Sequence, residues 1–139
     1  SAMINDSIFT SSDNALQKAL NIQLESAKLG FDWSEVGPVF DKVLEEIEEV
    51  RVEVYADKRQ QQKIEDEIGD LLFAVVNLSR HLDVNPEIAL QRASEKFTKR
   101  FILVQRFAAA QDVELTSLNI EALELFWRKA KAILSKSEQ

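Results

Sequence analysis

Apolar positions along this chain recur at three, four and seven residues, and no stretch alternates apolar with polar over the length of a strand. The first run passes through Ala15, Leu16, Ala19, Leu20, Ile22 and Leu24 to Leu29. Asp13 or Ser12 is placed to cap it, and Gly30 to stop it in the left-handed conformation that glycine tolerates. A loop with two large aromatics, Phe31 and Trp33, follows. Gly37-Pro38 opens a second helix, with proline in its first turn, and the chain stays helical to about Ala56. Phe40, Val43, Leu44, Ile47, Val50 and Val54 are its predicted core stripe. A polar stretch over 57–62 interrupts the pattern, and a third helix resumes with Ile64, Ile68, Leu71, Leu72, Val75, Leu78 and Leu82 facing inward. Asn85 caps and Pro86 opens a fourth helix to about 111, and after a loop over 112–118 Asn119 caps a fifth that runs through Leu123, Trp127 and Leu134.

The expected fold is therefore all-α, a bundle of about five helices with short connections. It spans residues 15–134, after a polar arm over 1–14 whose Ser1-Ala2 reads as a tag remnant before Met3, and before a frayed polar tail over 135–139. A chain of 139 residues favours one domain, which can bury roughly two-thirds of its unfolded surface. Only 3 glycines and 2 prolines leave little room for a many-turned β fold. The lack of cysteine excludes disulfides and thiolate metal sites and suits a reducing cytoplasm. No apolar run reaches the ~20 residues of a membrane span, and no basic segment followed by an apolar one opens the chain. A net charge of −7 argues against duplex nucleic acid and anionic membranes as partners.

The acids are not spread evenly. The second helix carries Glu45, Glu46, Glu48, Glu49 and Glu53, and the third carries Glu65, Asp66, Glu67 and Asp70. Glu46 with Glu49, and Glu67 with Asp70, share a spacing of three, which puts each pair on one helix face. A short connection folds the two helices into an antiparallel hairpin and lets the pairs face each other. Converging carboxylates raise one another's pKa, and a hard divalent cation relieves the conflict through oxygen ligands. Solvated acidic faces are the commoner origin of such runs, and spacing alone does not choose between the two. The stripe Glu67, Asp70, Ala74, Asn77, His81 turns from acidic to neutral polar, which a solvated face would not need to do. Gly69, in mid-helix, costs ~1 kcal/mol against alanine and is expected either to admit a close neighbour or to serve plain packing. Lys96 and Arg100 lie four apart on the fourth helix, as do Trp127 and Lys131 on the fifth. Cations of this kind hold phosphate and an indole stacks on a base. A surface pair bridged to Glu95 or a neighbour is the alternative for Lys96 and Arg100, and core packing is the favoured reading of Trp127 from the residues alone.

Glu46-Ile-Glu-Glu49 followed by Glu67-Ile-Gly-Asp70-Leu-Leu-Phe resembles the E-x-x-E … E-x-x-D signature of MazG-type nucleoside triphosphate pyrophosphohydrolases. The likeness extends through Gly30-Phe31-Asp32-Trp33, Asp41-Lys42-Val43, the run from Asp70 to Leu82, and Ile88-Ala89-Leu90-Gln91 to Arg100-Phe101, and is greatest to the C-terminal domain of the long two-domain MazG proteins. The resemblance implies a cytoplasmic α-helical homodimer that hydrolyses nucleoside triphosphates to the monophosphate and pyrophosphate with Mg²⁺, Mn²⁺ substituting. It implies Glu46, Glu49, Glu67 and Asp70 as catalytic metal ligands, with Glu45 and Asp66 adjacent. Lys96 and Arg100 would hold the triphosphate with Asn77 near them, Trp127 and Lys131 would contact the nucleotide, and Lys63 would reach the phosphates. Rival readings are a dUTP- or phosphoribosyl-ATP-specific pyrophosphohydrolase and a non-enzymatic acidic dimerisation or regulatory bundle. A di-iron bundle is disfavoured, because the single histidine, His81, has no glutamate three residues before it.

Overall fold

The computed structural model describes residues 14–137, so the polar arm up to Asp13 lies outside the described residues. Five α-helices follow one another: α1 Ala15–Lys28, α2 Gly37–Val54, α3 Gln61–His81, α4 Pro86–Ala110 and α5 Ile120–Ser137, with a 3-10 turn at Leu115–Ser117 before the last. There is no strand among the described residues, and the fold is all-α. Among the described residues no helix is long and apolar enough to cross a membrane.

Local chemistry sets the helix ends. Asn14, rather than Asp13 or Ser12, caps α1: its Oδ1 accepts from the Gln17 amide at 2.9 Å. Gly30 does end that helix with a positive φ of 86°, a conformation in which a Cβ is strained. Its amide donates to the Ala27 carbonyl at 2.9 Å, while the Phe31 amide reaches Ser26 O at 3.1 Å. Asn85 accepts from the amides of Glu87 and Ile88 ahead of α4. Asn119 does the same for Ala122 ahead of α5. Of the tail over 135–139, the part through Ser137 continues α5, with Lys136 in its last turn, where a cation favours the carbonyl end of the helix dipole, and the last two residues lie outside the described residues.

The chain divides into two compact units, one through Ala89 and one from Leu90. In the first, α2 and α3 pack on each other and α1 packs on α3. Val39, Ile64, Ala74 and Val76 are its buried apolar side chains, and Gln23 and Glu46 are buried with them. The predicted core stripes are only partly borne out. Phe40 (48 %), Leu44 (61 %) and Leu72 (55 %) stay exposed, and Ile47, Ile68, Val75 and Leu82 are also largely open. Periodicity identifies the apolar face of a helix but not what covers it, and packing between α2, α3 and α1 covers only part of each stripe. Among the described residues nothing comes close to Gly69: a Cβ built there meets no atom within 4 Å. In the second unit Val104, Ala108, Phe126 and Ala130 form a core with Phe107 and Trp127 packed against it.

Because Asn119 satisfies an otherwise unpaired amide at the start of α5, Asn119→Ala should destabilise the chain by about 1 kcal/mol in urea unfolding, while Asn119→Ser should recover most of the loss.

Candidate active site

The α2–α3 hairpin brings acids of both helices together. Glu46, Glu67 and Asp70 each offer a carboxylate oxygen within 4.8 Å of the others, a grouping able to hold a metal ion. Glu46 is only 6 % exposed. Its Oε1 lies 3.1 Å from Lys42 Nζ, one turn back on α2, whereas its buried Oε2 has no hydrogen-bond donor. Lys42 also reaches Glu45 at 3.3 Å, and these carboxylate contacts hold its pKa above the ordinary lysine value. The pKa of Glu67 is raised too, with the opposite effect on charge. Desolvation, then Asp70, then Glu49, Glu46 and Glu53, raise its pKa, so its charged form is disfavoured where it stands. A buried carboxylate oxygen without a donor, within a cluster of like charges, fits a hard cation with oxygen ligands.

Of the four acids named from the sequence, three are brought together. Glu49 lies outside that grouping but close enough to act on Glu67 electrostatically. Asp66 accepts from Gln62 at 3.0 Å, and Glu45 pairs with Lys42. Lys63 is exposed in the first turn of α3.

Two of the three acids, Glu46 and Asp70, line a cleft of about 730 Å³ formed by α1, the Gly30–Trp33 loop and the α2–α3 hairpin. Lys42 lines it with them, as do Gln23, Phe31, Trp33, Asn77 and Arg80. Asp32 fastens the loop. Arg80 donates to its two carboxylate oxygens at 2.7 and 3.0 Å, and His81 Nε2 lies 2.8 Å from Oδ1. Arg80 donates in turn to Asn77 Oδ1 from Nε at 3.1 Å and Nη2 at 2.8 Å. Bonds from Arg80 and His81 outweigh the partial burial of Asp32 and hold its carboxyl well below the usual range. Asn77, named from the sequence, therefore lines the cleft. His81 does not face it and instead braces Asp32.

The remaining nucleotide-site candidates belong to the second unit. Arg100 sits over the Trp127 ring at 5.6 Å, and Phe97 packs against the same indole at 5.2 Å. Lys96 and Lys131 are exposed. Gln23, Lys42 and the Asp32 clasp were missed in the sequence. Two of them left a signal: Lys42 stands four residues before Glu46, and Gln23 occupies an apolar position of the α1 stripe, between Leu20 and Ala27.

Residues 38–104, which contain the whole triad, match the MazG nucleotide pyrophosphohydrolase domain. The chain belongs to the MazG family. It is 50 % identical over 117 residues to a nucleoside triphosphate pyrophosphohydrolase of Escherichia coli K12, a match covering 84 % of this chain and 44 % of that protein. It is 39 % identical, with the same coverage, to the nucleoside triphosphate pyrophosphohydrolase/pyrophosphatase MazG of Thermotoga maritima. The chain thus spans less than half the length of these curated relatives.

The Asp32 clasp gives a pH test. A carboxyl whose folded pKa is depressed adds stability above its unfolded value near 4, and loses it as pH falls through and below that value. Asp32→Asn should cost about 2 kcal/mol at pH 7. The gap to the parent should stay constant down to about pH 5 and narrow below pH 4, measured by urea unfolding across that range.

Proposed function

We propose that this chain hydrolyses nucleoside triphosphates between the α- and β-phosphates, giving the nucleoside monophosphate and pyrophosphate, with Mg²⁺ as its metal and Mn²⁺ able to replace it. The observation that carries this reading is the Glu46–Glu67–Asp70 triad with its donorless, buried Glu46 oxygen, inside the segment that matches the MazG domain. The names of the E. coli and T. maritima relatives agree with it.

In this reading Glu46, Glu67 and Asp70 hold the metal, joined by Glu49 from one turn further along α2. When bound, Mg²⁺ supplies Lewis-acid stabilisation of charge on phosphate oxygens and acidifies water. Lys42 fixes Glu46 Oε1, so the other oxygen is presented without a search over rotamers. Within the first unit, Lys63 and Asn77 offer polar contacts to the phosphates. The exposed apolar side chains of the hairpin, Phe40, Leu44, Ile68 and Leu72 among them, suit burial against a second copy of the chain in a homodimer. A cytoplasmic role in clearing unwanted nucleotides accords with this chemistry, and the substrate is the free nucleotide rather than a polymer.

Pyrophosphate release from a panel of ribo- and deoxynucleoside triphosphates, with Mg²⁺ and with EDTA, tests the reaction. Metal-dependent formation of monophosphate and pyrophosphate is expected, and Asp70→Asn should lower kcat/KM by a factor of ~100 or more. Turnover with only one base, such as deoxyuridine, would favour the specialised reading. No turnover and no thermal shift with Mg²⁺ would favour the non-enzymatic acidic bundle.

Glu67 provides a second, independent check. Its charged form is opposed by its surroundings, so Glu67→Gln should melt above the parent in EDTA. The same variant should lose the Mg²⁺-dependent rise, which for the parent at a hundred times Kd is worth about 2.7 kcal/mol. Thermal melts of both proteins should therefore cross on adding metal.

A further inference from the structure

We infer that Arg80 is a positioning residue and not an anion ligand: it holds the Asn77 amide so that Nδ2 is offered to an acceptor oxygen on the ribose–phosphate chain of the substrate. This rests on the nucleotide reading above and adds to it the residue that sets one of its donors.

An arginine in the wall of a triphosphate cleft is ordinarily read as a phosphate ligand, because its planar fork and fixed charge suit one. Arg80 lines the cleft, but its fork and its charge are already committed. Nη1 and Nη2 donate to the two carboxylate oxygens of Asp32 at 3.0 and 2.7 Å, the paired geometry that phosphate would otherwise receive. Asp32 is saturated in turn. Its Oδ1 also accepts from the Trp33 amide at 2.9 Å and lies 2.8 Å from His81 Nε2. A carboxylate oxygen only accepts, so that ring nitrogen carries a proton, and its 3.2 Å approach to Arg80 Nη2 is a contact between two donors. The side chains of Arg80 and Asp32 are only 13 % and 25 % exposed. Drawing Arg80 away toward a ligand anion would leave a largely buried carboxylate without its counter-charge.

What Arg80 does for the cleft passes through Asn77. Nε and Nη2 donate to Asn77 Oδ1 at 3.1 and 2.8 Å. A guanidinium has no acceptor, so the reversed amide would set N–H against N–H. The oxygen therefore faces Arg80, and Nδ2 is the end that remains for a ligand. Asn77 lines the cleft two helical turns beyond Asp70, on the stripe that Ala74 continues. From there a neutral N–H donor suits an oxygen of the chain that leads away from a metal-held phosphate. An amide already locked by two N–H bonds has little rotamer freedom to lose on binding.

A double-mutant cycle separates a direct role from a relayed one. Calorimetry measures the affinity of the α,β-methylene analogue of ATP, in Mg²⁺, for the parent, Asn77→Ala, Arg80→Lys and the double variant. Arg80→Lys keeps the cation without the fork. Asn77→Ala should weaken binding roughly 10-fold, Arg80→Lys by a similar factor, and the double variant should bind no more weakly than either. Losses that multiply in the double variant, or parental affinity in Arg80→Lys, would overturn the assignment. Asn77→Asp gives an answer even if Arg80→Lys folds poorly. It keeps an acceptor for Arg80, and with it the clasp, but has no donor for a ligand. It should bind at least as weakly as Asn77→Ala; parental affinity would mean that Asn77 serves Arg80 and not the reverse. The 2′,3′-dideoxy analogue locates the acceptor. A penalty for Asn77→Ala that vanishes with it places the oxygen on the ribose, and one that persists places it on a phosphate. Pyrophosphate release from ATP by the parent chain, run in parallel, separates the two readings. A non-additive cycle without turnover refutes the reaction and keeps the relay, and turnover with multiplying losses does the reverse.

Discussion

Like charges held together against their repulsion are the constraint around which the first unit is built. Glu46, Glu67 and Asp70 come from two helices and share a space in which Glu67 already resists ionisation. Carboxylates free to turn outward would do so, since each gains water and loses a repulsive neighbour. Two features stop them. Glu46 is buried in the hairpin packing, and Lys42 holds one of its oxygens from the preceding turn. A single lysine shared between Glu45 and Glu46 leaves most of the cluster charge uncompensated. That residual charge is what a divalent cation would neutralise, at some cost to the stability of the metal-free chain.

The rest of the unit follows from keeping that hairpin rigid and open on one side. Packing of α1 on α3 supplies the far wall of the cleft, and Gly30, with its positive φ, turns the chain back over it. Asp32 then anchors the loop through a forked contact with Arg80 and a third contact from His81. The clasp leaves Phe31 and Trp33 exposed beside the cleft instead of letting them collapse into the core. A network of this kind gains from cooperation among charged hydrogen bonds, because Arg80 also positions Asn77.

Much of this was legible in the sequence wherever the determining physics is local. Helix number, order and most ends followed from capping side chains and from Gly30, Pro38 and Pro86, because a cap is a contact within three or four residues. The acid pairs were legible for the same reason, since a spacing of three fixes a common face. Long-range contacts were not. The Asp32–Arg80 pair spans 48 residues, and nothing in either neighbourhood announces it. The exposed stripes of α2 and α3 were misjudged because an apolar face is a property of one helix and burial a property of its neighbours. Glu49 was grouped with the triad by spacing, while its place relative to Glu67 depends on how the two helices cross. Gln23 was passed over as a polar residue in an apolar run, although a polar side chain at a core position is itself a signal of chemistry.

Anomalous diffraction from crystals of the chain soaked in Mn²⁺ tests the central claim most directly. The account predicts a manganese peak within coordination distance, about 2.2 Å, of carboxylate oxygens of Glu46, Glu67 and Asp70, including the Glu46 oxygen that takes no donor from the protein. Manganese bound only elsewhere on the acidic surface, with Glu46 still turned to Lys42 alone, would contradict it.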